Sequence, residues 1–180
     1  MGEAKRKREA LRATLIKNIE EWSFPATEWE AEMVSEISRL PVVMVMRAPD
    51  KQLEWGRMKE RECHANARFM AENDPEKQTT QGLGWWPQEG NFVLHSVIQQ
   101  GEHLICVTPS PFNPDNPFPF VPDAEIEARE EDDHLVYYRK DQRIGPGLRS
   151  DPEKAIRLGL ETRKRLEAGG NPYDAMRVWI

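Results

Sequence analysis

The sequence predicts an α+β fold: an antiparallel sheet of four to six strands, a cysteine-bearing helix packed on it, and helical extensions at both ends. Three observations carry this reading. Apolar residues recur at helical spacing near both termini. Three β-rich runs follow one another closely between Gly82 and Val107. Turn and breaker residues sit between these segments, at Pro25, Pro41, Gly101 and Gly145-Pro146-Gly147.

Residues 4–22 read as a helix with Leu11, Leu15, Ile19 and Trp22 on one stripe. Pro25 breaks it. Thr27 followed by Glu30 is a capping-box signature and opens a second helix striped by Trp29, Met33, Ile37 and Leu40, which Pro41 ends. Residues 42–46, Val-Val-Met-Val-Met, form a buried strand by composition. Residues 50–72 are helical in two pieces with Gly56 as the break, and the second piece carries Cys63 and His64. Strands are expected at 82–86, 92–98 and 103–107. Gly101 turns the last two into an antiparallel hairpin. Six of the fourteen prolines fall in 109–122, which argues for an ordered loop rather than a central strand. Asp123 to Asp133 holds seven acidic residues and reads as a solvated loop, and His134 to Arg139 as a short strand. Ser150 to Glu153, with Pro152 in the first turn, opens a last helix that Gly169-Gly170 closes, and Trp179 is a candidate anchor for the tail. The organisation is thus an N-terminal helical section (1–41), a sheet-bearing core (42–148) and a C-terminal helix with tail (149–180).

A chain of 180 residues suits one core. Mean hydropathy is −0.74, and no apolar run approaches the ~20 residues of a membrane span. The first 22 residues lack the apolar stretch of a signal peptide. Two cysteines make no disulfide framework, so a reducing, cytoplasmic setting is expected. The net charge of −6 argues against nucleic acid as a partner. Lys5, Arg6, Lys7 and Arg8 are the only hint of such a partner, and no aromatic is interleaved with them.

No glycine-rich phosphate loop, paired Cys-x-x-Cys or His-Glu-x-x-His occurs, and no cofactor is expected. Cys63, His64, His95, His103 and Cys106 are enough zinc ligands on paper. Strand and helix periodicity points them apart, so no metal site is expected. What remains is Cys63 near a helix start, where backbone N–H groups favour the thiolate, and His95 on a later strand. Such a pair suits nucleophilic catalysis, with the imidazole as the proton carrier. The bland alternative is a small buried thiol facing Ala67 and Met70. His64, His103 and His134 read as surface or capping residues. Trp85 and Trp86 are candidate walls for a substrate.

Cys63-His64-x-Asn66-Ala67, then Gly84-Trp85, then His95-Ser96-Val97, then Val107-Thr108-Pro109 resembles small uncharacterised bacterial and phage proteins similar to the papain-like and transglutaminase-like cysteine superfamily. The resemblance covers about residues 60–122. It implies a papain-like core within 42–148, Cys63 as nucleophile, His95 as general base, and Asn66 near enough to Cys63 to bind substrate or backbone. It also implies an acid on the strand after the histidine. That position holds Cys106, so Asp115, Asn113, Asp123 or a backbone carbonyl would have to orient the imidazole, or catalysis has been lost. The activity implied is cysteine-dependent acyl transfer on an amide, ester or thioester, with a peptide or acylated amine as substrate. The alternative is an inactive fold that serves a phage or mobile element as a protein-interaction module.

Overall fold

The computed structural model describes residues 2–88, 90–110, 116–132 and 134–176. In chain order the elements are α1 (Glu3–Trp22), α2 (Glu28–Ile37), β1 (Val43–Arg47), α3 (Asp50–Trp55), α4 (Cys63–Glu72), β2 (Thr79–Gln88) and β3 (Asn91–Gln100). They continue with β4 (His103–Cys106), β5 (Phe118–Pro122), β6 (Ile126–Glu131), β7 (His134–Arg139), β8 (Gln142–Ile144), β9 (Gly147–Arg149), α5 (Pro152–Glu167) and α6 (Pro172–Met176). The α+β class therefore holds. Among the described residues, no helix is long and apolar enough to cross a membrane.

Five strands close on themselves in the order β2-β5-β1-β4-β3, and β3 pairs back to β2. β9 adds to the far end of β3 as a sixth strand. The ring is mixed, which corrects the all-antiparallel expectation: β1 runs parallel to β4, with Met46 opposite Ile105 and Arg47 opposite Cys106. Closure brings β2 hard against β5. A Cβ on Gly84 would lie 2.3 Å from the Val121 carbonyl oxygen and 2.6 Å from the Phe120 ring, so only glycine fits there. Val45, Val97, Cys106, Phe118 and Phe120 fill the barrel.

The proline-rich segment was expected to be all loop, yet its end forms β5. It pairs three residues with β1 and two with β2, so neither Pro119 nor Pro122 lies in a ladder paired on both edges. The acidic run is likewise no loop. Ile126–Glu131 forms β6 of a second, three-stranded sheet, β6-β7-β8, with most of its acidic side chains in solvent. β1 is only half buried: Val42, Met44 and Met46 are exposed while Val45 is wholly covered.

The second sheet packs over the outer face of the barrel. Ile126, Tyr137 and Ile144 meet Trp85, Leu94, Val121 and, from α2, Met33 and Ile37. α4 lies on β2 and β3. α1 packs against α5 and α6, and Arg12 donates to the Gly169 and Gly170 carbonyls that close α5, at 3.3 and 3.1 Å. The start of α5 is capped by Asp151, which accepts from the Lys154 N–H, rather than by Ser150. At α2, Thr27 accepts from the Glu30 N–H at 3.3 Å, but the box is not reciprocal. The Glu30 carboxylate is buried and instead takes both Nε and Nη2 of Arg149, at 2.9 and 2.7 Å. Arg149 also donates to the Trp22 and Phe24 carbonyls, at 2.8 and 2.7 Å. This one side chain ties the α1–α2 turn to β9. Trp179 lies outside the described residues.

Candidate functional site

α4 begins at Cys63, and its first N–H groups have no side-chain cap, because Glu62 makes no capping bond. The thiol is half-buried over an interruption in the sheet. The outer edge of β3 pairs with β9 up to Val93 and with β4 from Ile98 onward. On that edge the Leu94 N–H donates to the Pro146 carbonyl at 2.9 Å, and strand alternation aims the Ser96 N–H the same way, into the gap. There it meets Cys63. The thiol is held by the backbone N–H groups of Ser96, His64 and Cys63, all of which favour the thiolate. Burial acts more strongly in the other direction, and the Cys63 pKa is raised above its ordinary value. The depressed pKa expected from the helix start alone is corrected: Cys63 rests as a thiol.

His95 points from β3 into the barrel mouth. It is 5% exposed and packed among aromatics, with Trp86 at 5.5 Å and Phe118 edge-on at 5.8 Å between ring centroids. Burial, then the neighbouring His64 and Arg47 charges, pushes its pKa down to about 3, so the ring is neutral at pH 7. Its Nε2 lies 3.4 Å from Cys106 Sγ. Cys106 Sγ also lies 3.7 Å from the Thr108 carbonyl; when the thiol donates there, its sulfur is left to accept from His95 Nε2. Nδ1 is then the basic nitrogen, and among the described residues nothing hydrogen-bonds to it. Cys106 thus orients the ring from the position where the superfamily resemblance places an acid. It supplies direction and tautomer but no negative charge.

Cys63, His95 and Cys106 border one cavity of about 530 Å³, together with His64, Trp86 and Thr108. No hydrogen bond joins Cys63 to His95 among the described residues. The structure separates the tryptophan pair. Adjacent strand positions face opposite ways. Trp86 lines the cavity, whereas Trp85 is wholly buried under the second sheet and donates from Nε1 to Asp123 at 2.9 Å. Trp85 is therefore no substrate wall.

Asn66 is not aimed at substrate either. Its amide closes a two-way link with Lys59, accepting from N–H at 3.1 Å and donating to the carbonyl at 2.7 Å, and it donates to Thr108 Oγ1 at 3.2 Å. It ties the loop before α4 to Thr108, just past the end of β4. Asp123 is committed to Trp85 and to Arg139 Nε at 2.7 Å, and cannot orient His95. Asn113 and Asp115 lie outside the described residues.

His64, expected at the surface or at a cap, is a half-buried member of the site. Its Nδ1 lies 2.5 Å from Ser96 Oγ, its ring rests on Tyr137 at 4.4 Å, and burial pushes its pKa down to about 4. Sequence reasoning also missed α1 as a wall: Leu15, Asn18, Ile19 and Trp22 border the same cavity. Their spacing of three and four residues gave the signal for a covered face, but not for what it covers. Among the described residues, no group of three or more His, Cys, Asp or Glu side chains is arranged to hold a metal ion. The basic residues Lys5, Arg6, Lys7 and Arg8 are all exposed along the start of α1. Comparison of this chain with protein-family models, with curated proteins and with solved structures finds no match in any of the three.

Proposed function

We propose that this protein is a cysteine-dependent acyl-transfer enzyme with a papain-like division of labour between a helix-borne thiol and a strand-borne imidazole. The observation that carries the reading is the meeting of Cys63, His95 and Cys106 on one cavity. Cys63 Sγ attacks the carbonyl carbon of an amide, ester or thioester, and its proton passes to His95 Nδ1. The developing oxyanion is stabilised by backbone N–H groups at the start of α4, released from the thiol as it attacks. The C–N, C–O or C–S bond breaks as His95 returns the proton to the leaving group. Water or an amine then takes the acyl group from sulfur, with His95 again accepting a proton. Because the thiol and the imidazole are both neutral at rest, the proton moves as attack occurs rather than before it. A peptide or acylated amine is the substrate class favoured. Two free cysteines accord with a cytoplasmic setting. The test is turnover of an activated thioester by the wild-type chain and by Cys63→Ala; full turnover in the variant would remove the reading.

One observation favours the second reading, an inactive fold that serves as a protein-interaction module. Val42, Met44 and Met46 present an exposed apolar row along β1. On this reading Cys63 transfers nothing, and polar substitution of Met44 releases a protein partner.

A further inference from the structure

From the cavity's lining we infer that it takes a linear aliphatic acyl compound, with the carbonyl at Cys63 and the tail laid along α1. This rests on the acyl-transfer reading and names its substrate class.

The lining is divided by chemistry. The charged residues come from the loop before α4 and from β1. Glu60 and Arg61 lie within three residues of Cys63, and Arg47 stands opposite Cys106 in the β1–β4 register. The other wall is mostly hydrocarbon. Leu15, Ile19 and Trp22 lie on one stripe of α1, and Val93, Leu94 and Pro146 line the cavity from β3 and the turn before β9. The polar residues on that side, Asn18, Asn91 and Thr162, carry no charge. A ligand that fills both parts has a polar, reactive head and a hydrocarbon tail. A cavity of about 530 Å³ lies within the range of small-molecule sites, roughly 300–1,000 Å³. Acetyl would leave most of the apolar wall uncovered. A longer tail gains from each methylene that leaves water, by about fourfold in affinity or kcat/KM.

Acyl transfer from the substrate needs no co-reactant beyond water or an amine. The bond from carbonyl carbon to the leaving heteroatom breaks as the bond to Cys63 Sγ forms, and His95 returns the thiol proton to the leaving group.

Two experiments on the full chain test the inference. The first measures kcat/KM for acetyl, butyryl, octanoyl and dodecanoyl thioesters of N-acetylcysteamine. Octanoyl should exceed acetyl by at least tenfold, and Leu15→Trp, which fills the α1 side, should lower the octanoyl-to-acetyl ratio by a similar factor. Equal rates for acetyl and octanoyl, lost in Cys63→Ala, would overturn the inference and leave the acyl-transfer reading standing. The second needs no chemistry: calorimetric titration of Cys63→Ala with sodium octanoate. Saturable binding with a negative heat-capacity change, weakened by Leu15→Trp, supports the inference. Absence of binding overturns it. Octanoate binding in a protein whose Cys63 is acylated by none of the thioesters would support the tail site and overturn the acyl-transfer reading.

Discussion

Where the three-stranded sheet meets the barrel, Asp123 accepts from Trp85 Nε1, Arg139 Nε and the Glu125 N–H, and the same arginine reaches Glu36. At the barrel mouth, Cys63, His95 and Cys106 border one cavity, and among the described residues no carboxylate bonds to His95 or Cys106. The first cluster resembles Glu30–Arg149, where each charge is buried against its opposite. The difference separates scaffold from chemistry. Matched charges hold elements together and do not move protons. On the acyl-transfer reading, an unmatched thiol and a neutral imidazole leave one nucleophile and one basic nitrogen for a ligand.

Substitutions can break this contrast from either side. The largest effect on turnover is expected for Cys63→Ala, a loss of at least about a thousandfold in kcat/KM with the thermal midpoint little changed. Steady-state kinetics beside thermal unfolding checks both halves. Glu30→Ala should do the reverse. It strands a buried guanidinium and costs about 3–5 kcal/mol in denaturant unfolding, while turnover per folded molecule persists.

Acid supplies the next effect. His64 and His95 have folded pKa values of about 4 and about 3, both below the ordinary 6.5. The unfolded chain therefore binds protons first as pH falls. Stability is full above pH 6.5 and declines toward pH 4, by on the order of 2–3 kcal/mol for each histidine. Glu36 and Asp74 are also held low, by their arginine, lysine and N–H partners, but a carboxylate loses its contribution only below the unfolded value near 4. Unfolding free energy between pH 6.5 and 4.5 thus reports the histidines, and a flat profile there would contradict their burial as neutral rings. Alkylation reads the thiol. Iodoacetamide should modify Cys63 slowly at pH 7 and faster only as pH rises past 9, because burial raises its pKa. The smallest effect is expected for Cys106→Ala, about tenfold in kcat/KM, since this residue aims His95 without charging it.

Much of this architecture was legible in local pattern. α1, α2, α4 and α5 follow from apolar stripes, Thr27, Gly56 and Pro152, and the β3–β4 hairpin follows from Gly101, whose φ of +60° suits glycine. The missed elements are those decided by distant partners. β5 tolerates its prolines only because its pairing is shared between β1 and β2. β6 hides behind its glutamates because one face of the strand is in solvent and its pairing comes from β7. Nothing within residues 43–47 encodes a parallel neighbour 59 residues away.

The site divides in the same manner. Cys63 and His95 were visible as residue types, and the structure brings both to one cavity. Strand parity could say that Trp85 and Trp86 part company, but not which one faces the cavity. For Asn66 the sequence leaves substrate and nearby backbone both open, and the structure shows backbone: its amide bonds the Lys59 N–H and carbonyl, and also Thr108 Oγ1. The same holds for Cys106. As a sequence position it is a missing acid; in three dimensions its sulfur lies 3.4 Å from His95 Nε2 and 3.7 Å from the Thr108 carbonyl.

The most direct test of the site is intact-protein mass spectrometry within the first turnover of an octanoyl thioester, followed by peptide mapping. One acyl group on Cys63 is expected, absent from Cys63→Ala and formed at least about a hundredfold more slowly in His95→Gln. Acyl transfer to Cys106 instead, or an unchanged rate in His95→Gln, would contradict a partnership between this sulfur and this imidazole.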